Sequence, residues 1–262
     1  IKRRENRAAM ERLPALLAEL DSLRGRQLVE ALIRGVLAGN LFDLGSMPTI
    51  QAYERSGLDF MRARARLRPR PWLVDHLDAW IDRFVAAGGP VRSPYRQILF
   101  FVDNAGADAV LGSLPLARQL ASWGSRVVLA ANSMPSLNDV TAEEMAELLA
   151  EAARLDPIIA RLCQTGRLSV VPSGCYTPLI DLSAVSEACN AEAAEADLII
   201  LEGMGRAVQS NYHARFRCDC LKLAVLKDPA VAARLGGQLF DIVCRFEPAR
   251  NPAASRPDHD SG

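Results

Sequence analysis

Six short, almost uninterrupted apolar runs constrain this chain more than any other feature: QILFFVD, RVVLAAN, LSVVPS, DLIILEG, LKLAVLK and LFDIVCRF, all after residue 95. A strand with one wet face alternates apolar and polar residues. Runs this continuous belong to strands buried on both faces. Helical stretches separate most of them, notably VLGSLPLARQLASWG and VTAEEMAELLAEAARLDPIIARL. Buried strands alternating with helices specify an α/β fold, here a mostly parallel, Rossmann-like sheet flanked by helices.

Residues 1–92 read differently, as an N-terminal helical region. Apolar positions recur at three and four through RAAMERLPALLAELDSLRGRQLVEALIRGVLAGNLFDLG, with interruptions expected at Pro14 and Gly25. After RPRPW, the stretch WLVDHLDAWIDRFVAAGGP reads as another amphipathic helix that stops at Gly88-Gly89-Pro90. Residues 93–248 then form the α/β core, and 249–262, rich in Pro, Ser and charge, read as a disordered tail.

The chain has 262 residues, enough for one large domain or a domain with a helical appendage. Its 31 Lys and Arg balance 31 Asp and Glu, which argues against general nucleic-acid or membrane-surface binding. No apolar run approaches the roughly 20 residues that span a bilayer, so a cytoplasmic location is expected. The six cysteines form no CxxC pair and read as reduced thiols rather than metal ligands. IKRRENRAAM lacks an initiator Met and a signal-peptide apolar stretch, which leads to the expectation of a fragment of a longer protein.

In open α/β sheets, ligands bind beyond the carboxyl ends of the strands. The first run ends in Asp103-Asn104, with Asp108 close behind, and the second leads through Asn132 to Asn138-Asp139. The third ends in Ser173-Gly174, the fourth in Glu202-Gly203-Met204-Gly205-Arg206, and the fifth in Lys227-Asp228. Any one of these is an ordinary helix cap or turn former. Five strand ends bringing acids, amides, a Gly turn and two cations to one edge describe a functional crevice. Asp103, Asn104 and Asp139 offer oxygen donors only, which suits a hard divalent cation such as Mg²⁺ or Mn²⁺. Arg206 and Lys227 can neutralise an oxyanion, and backbone N–H groups around Gly203 and Gly205 can cradle it. That inventory matches phosphoryl transfer to water. Ser173 lacks the GxSxG elbow, so a Ser-His-Asp hydrolase is poorly supported.

The stretches FFVDNAGADAVLGSLPLARQLASWGSRVVLAANSMPSLNDVT and LEGMGRAVQSNYHARFRCDCLKLAVLKD resemble the metal-dependent damage-control phosphatases, formerly domain of unknown function 89. EGMGR points to subfamily II, which includes the C-terminal phosphatase domain of pantothenate kinase 4. The resemblance implies that Asp103, Asn104 and Asp139 bind a divalent ion (Mn, Co, Ni or Mg). It further implies that Asp103, Asp139, Lys227 and Asp108 are catalytic. Asn40, Asp43, Ser173, Glu202, Gly203, Met204, Gly205 and Arg206 would meet substrate. Asp108 could orient or deprotonate the attacking water, or serve only as a helix N-terminal carboxylate. Lys222 and His213 are divided between substrate contact and ordinary structural roles.

By the same resemblance the substrate is a small phosphomonoester, 4′-phosphopantetheine and its oxidised forms such as the S-sulfonate, removed before they enter coenzyme A synthesis. Either water or Asp103 itself could attack phosphorus. A fusion to an upstream pantothenate-kinase-like domain, and an oligomer, stay open. Nucleic acid and membrane are not expected as partners. Competing readings are a sugar-phosphate phosphatase, a non-catalytic or regulatory domain of a longer kinase-like protein, and a nucleotide-cofactor enzyme. For the last, DNAGAD is a poor Gly-rich loop.

Overall fold

The computed structural model describes residues 2–41, 60–84 and 92–249. Helices α1 (Lys2–Ser22), α2 (Gly25–Leu41) and α3 (Phe60–Arg66) precede strand β1 (Val74–Asp75) and helix α4 (Leu77–Ile81). The α/β part runs β2 (Gln97–Phe101), a π-helical turn (Asp108–Ser113), α5 (Leu114–Ser122), β3 (Arg126–Ala131), α6 (Ala142–Leu155), α7 (Pro157–Gln164) and β4 (Leu168–Pro172). It continues with α8 (Glu187–Glu195), β5 (Leu198–Glu202), a second π-helical turn (Met204–Ser210), β6 (Asp219–Val225), α9 (Pro229–Arg234) and β7 (Ile242–Glu247).

The strands form one seven-stranded sheet in the order β1-β7-β6-β5-β2-β3-β4. All neighbours are parallel except β6 and β7. The continuous apolar runs have the predicted cause, because alternate residues of each strand serve two cores. Ile98, Phe100, Leu129, Ile200 and Leu223 face α1, α2 and α5 to α7, whereas Leu99, Phe101, Val128, Ile199 and Leu201 face the side of α8 and α9. The N-terminal helices therefore share a core with the sheet.

Two expectations change. One helix runs straight through Pro14, and the break comes only at Leu23-Arg24. An interior Pro costs a helix about 3 kcal/mol, but Leu13, Leu16 and Leu17 are buried around it, which offsets that cost. The helix expected from Trp72 onward is instead a two-residue strand followed by the short α4. Arg70 grips the Asp75 carboxylate at 2.7 and 2.9 Å, and the Trp72 and Leu77 N–H groups also donate to it. A side chain that collects local backbone donors offers the chain an alternative to helix. Asp43, Gly88-Gly89-Pro90 and the tail beyond Ala249 lie outside the described residues.

Lys222 resolves its divided reading. It is fully buried, and Nζ donates to the Tyr212 and Ala214 carbonyls and to Glu247 Oε2 at 2.9, 2.8 and 2.6 Å. Those three bonds use every proton of the ammonium, so its role is structural. Burial raises the Glu247 carboxyl, but Lys222, Arg245 and Arg215 outweigh it and hold Glu247 below the ordinary range. Lys222→Met is expected to cost about 3 kcal/mol at neutral pH, the scale of a broken buried pair. Glu247 contributes its stability only when ionised, so the penalty should shrink as pH falls through the carboxylate range. Denaturant melts at several pH values check both. His213 is exposed, edge-on to Tyr212.

Candidate active site

From β2 the chain steps outward through β3 to β4, then returns across the sheet to β5 on the other side of β2. The crevice between β2 and β5 is thus the topological switch point, where ligands bind in open α/β sheets. Asp103 and Asn104 follow β2, and Gly203 to Arg206 follow β5.

Asp139 is distant in sequence and reaches this point by backbone lacing. The loop after β3 doubles back, with Val140 N–H donating to Asp103 O at 3.0 Å and Ala105 N–H to Asn138 O at 2.9 Å. The result is a bridge between Asn104 and Asp139. Asn132 closes the loop's base: its N–H donates to Val140 O, and Ala142 N–H donates to Asn132 O. Thr141 then starts α6 with a reciprocal capping box to Glu144, a device worth roughly 1 kcal/mol.

The side chains converge on the Arg206 guanidinium. Nη1 pairs with Asp103 Oδ1, while Nη2 meets Asp139 Oδ1 at 2.6 Å and Asn132 Oδ1 at 3.0 Å. Asp103 Oδ2 also accepts from Asn104 Nδ2 at 2.8 Å and Asn40 Nδ2 at 3.1 Å. Asn40, at the end of α2, accepts Val225 N–H with its Oδ1 and Lys227 Nζ with its main-chain oxygen. Lys227 N–H in turn approaches Met204 Sδ at 3.3 Å. Asp108 is 1% exposed and accepts from both Asn104 N–H and Asn104 Nδ2 through Oδ2.

Glu202 lies beneath. It is fully buried and accepts from Ser113 Oγ at 2.7 Å and Asp103 N–H at 3.3 Å. Burial, then the charge and hydrogen bond of Asp108, push its carboxyl well above the ordinary range. The neutral form is therefore favoured, and a protonated Glu202 can donate to Asp108. Gly203 sits at φ +97, and a Cβ there would lie 2.3 Å from the Asp103 carboxylate. Only glycine leaves room for that acid. Gly205 is pressed against the Pro178 carbonyl in the same way.

Among the described residues of the expected set, Ser173 is a polar side chain whose hydrogen bonds stay outside this group. Its hydroxyl accepts Cys175 N–H, and its carbonyl accepts Ser186 N–H. Asn132 and Ser113 were not among the expected site residues. Asn132 was visible only as the amide that ends the RVVLAAN run, one of the polar strand ends, whereas nothing in the sequence marks Ser113.

Among the described residues, no three His, Cys, Asp or Glu side chains gather as a metal cluster. What gathers is two carboxylates and carboxamides around one positive charge. The gathered donors are all oxygen and already hold a cationic group, which fits a hard divalent ion.

A family profile for the damage-control phosphatase ARMT1-like domain matches residues 1–243. The chain belongs to this family. As a damage-control phosphatase family member it is 42% identical over 271 residues to Pantothenate kinase 2 of Arabidopsis thaliana, covering 95% of this chain and 30% of that protein. Damage-control phosphatase At2g17340 of the same plant is 39% identical, with 94% and 65% covered. The 4′-phosphopantetheine phosphatase of Mus musculus is 35% identical, with 94% and 36% covered. The chain thus spans about a third to two thirds of these relatives' lengths. A DUF89 family protein from Pyrococcus horikoshii shares the fold at a TM-score of 0.62 and 18% identity, over 92% of this chain and 73% of that one.

Proposed function

We propose that this protein is a divalent-metal-dependent phosphatase for small phosphomonoesters, with 4′-phosphopantetheine and its oxidised S-sulfonate form as preferred substrates. The observation that carries the reading is the convergence of Asp103, Asn104 and Asp139 with Arg206 at the switch point. The names of the relatives support the activity and the substrate. The 30% share of Pantothenate kinase 2 supports a place within a longer, kinase-containing protein.

In this reading Asp103, Asn104 and Asp139 hold the cation, which supplies charge neutralisation and Lewis acidity at a phosphoryl oxygen. Asn40 and Asn104 orient Asp103 through its Oδ2. Asp108, with Glu202 buried behind it, positions Asn104 rather than touching substrate. Lys227 neutralises the phosphoryl oxygens as charge builds, and Arg206 adds its charge from the buried position where it pairs with Asp103 and Asp139. The backbone N–H groups of Met204 and Gly205 form the cradle, because the Gly203 N–H is already donated to Leu223 O at 2.9 Å.

The rim favours an amphipathic ester over a sugar phosphate. Met134, Leu137, Tyr176 and Leu179 are exposed apolar side chains on the two loops that frame the crevice. Those loops are laced by Ser133 N–H to Cys175 O, Gly174 N–H to Ser133 Oγ and Asn132 Nδ2 to Thr177 O. Exposed apolar groups beside a charged centre suit a ligand with one charged end and a long organic arm.

Arg206→Ala is expected to weaken inhibition by inorganic phosphate by about tenfold or more, and Arg206→Lys to restore only part of it. Lysine returns the charge without the planar fork that spans two oxygens. Inhibition constants measured with Mn²⁺ present check this. The function itself is tested by a screen of Mn²⁺, Co²⁺, Ni²⁺ and Mg²⁺ against 4′-phosphopantetheine, its S-sulfonate and common sugar phosphates. Metal-dependent release that is fastest from the pantetheine esters is expected. No release from any ester with any ion overturns the class, and a sugar-phosphate preference overturns the substrate.

A further inference from the structure

The first turn of α1 reaches both loops that carry the proposed cation ligands. Lys2 Nζ donates to the Asp139 carbonyl at 2.8 Å and pairs with Glu144 Oε2 at 2.7 Å. That same Glu144 oxygen accepts Thr141 N–H in the capping box that ends the Asp139 loop. One turn along, Asn6 Oδ1 accepts Gly106 N–H at 2.6 Å. Gly106 lies between Asn104 and Asp108 at φ +75, and a Cβ there would stand 3.1 Å from Glu5 Cβ. The backbone of the Asp103–Asp108 loop and the backbone of the Asp139 loop are therefore fastened to one rigid helix.

The sequence of α1 encodes this change of task. Residues 2, 6, 9, 10, 13, 16, 17 and 20 fall on one helical face by their three- and four-residue spacing. From Ala9 to Leu20 that face is apolar and buried. It turns polar at Lys2 and Asn6, where it passes the loops and where backbone groups, not side chains, need partners. The apolar part anchors the helix, and the polar part holds the loops in register with each other.

We infer that Lys2 and Asn6 are positioning residues for the cation site, setting the distance between the Asp103–Asn104 pair and Asp139 from outside the sheet. The inference rests on the proposed cation site. Residues that orient metal ligands from behind typically change metal affinity by roughly 10- to 100-fold. The test is calorimetric titration of Mn²⁺ alone into the chelator-stripped full chain. The Lys2→Ala/Asn6→Ala double variant should bind Mn²⁺ about tenfold more weakly than wild type. Its phosphatase activity should fall at limiting Mn²⁺ and return at excess Mn²⁺. Asn6→Asp keeps an acceptor for Gly106 N–H and should bind as wild type does, as should an Arg3→Ala/Arg4→Ala control on the exposed side.

Wild-type affinity in the double variant overturns the inference, because α1 then only packs. So does an equal loss in Asn6→Asp and Asn6→Ala, or a loss of activity that excess Mn²⁺ does not recover. A wild-type protein that binds no Mn²⁺ rejects the proposed site itself, and the inference falls with it.

Discussion

Asp103→Asn is expected to lower phosphate release by roughly a thousandfold at saturating Mn²⁺ while the protein remains folded. The substitution keeps the shape of the side chain and removes one of the two carboxylates that converge on Arg206. Metal-assisted charge stabilisation amounts to several kcal/mol, and each 1.36 kcal/mol is a factor of ten in rate. About 4 kcal/mol therefore accounts for a thousandfold loss. Arg206 keeps Asp139 and Asn132, so no buried charge is left wholly alone and folding survives. Steady-state release alongside circular dichroism checks both halves. A variant that retains more than a tenth of wild-type activity removes Asp103 from the chemistry.

Gly203→Ala is expected to damage activity and stability together, which separates it from Asp103→Asn. At φ +97 and ψ 148 the backbone occupies a region that costs other residues about 1–3 kcal/mol. The added methyl would also fall within 2.3 Å of the Asp103 carboxylate, so the acid must leave its seat. At about 2–4 °C per kcal/mol for a domain near this size, the melting temperature should drop by roughly 4–10 °C. Mn²⁺ affinity and turnover should fall with it. Thermal melts and Mn²⁺ titrations on one preparation measure these effects. Unchanged metal affinity would show that the close approach to Asp103 carries no functional weight.

The sheet was readable because its central strands are buried on both faces, which leaves unbroken apolar runs too short for ordinary helices. β1 escaped because two residues carry no period, and its partner is the sequence-distant β7. Pro14 misled because a local propensity was overruled by the buried stripe around it. At the site, the acids and amides were visible as polar residues ending apolar runs. The lacing that brings Asp139 to Asn104 was not, since it runs through main-chain groups that every residue possesses. Lys222 shows the same limit from the other side. Only the positions of the Tyr212 and Ala214 carbonyls reveal that this ammonium is fully committed inside the fold.

Asp103, Asn104 and Asp139 are proposed to form one cation site on which phosphate release depends. The most direct measurement is Mn²⁺ titration of the chelator-stripped protein, followed by heat and by phosphate release from 4′-phosphopantetheine on the same samples. Both signals should saturate together near one equivalent of Mn²⁺, and both should be lost in Asp139→Asn. Release that persists after chelation, or Mn²⁺ binding that survives Asp139→Asn unchanged, would contradict the proposed site.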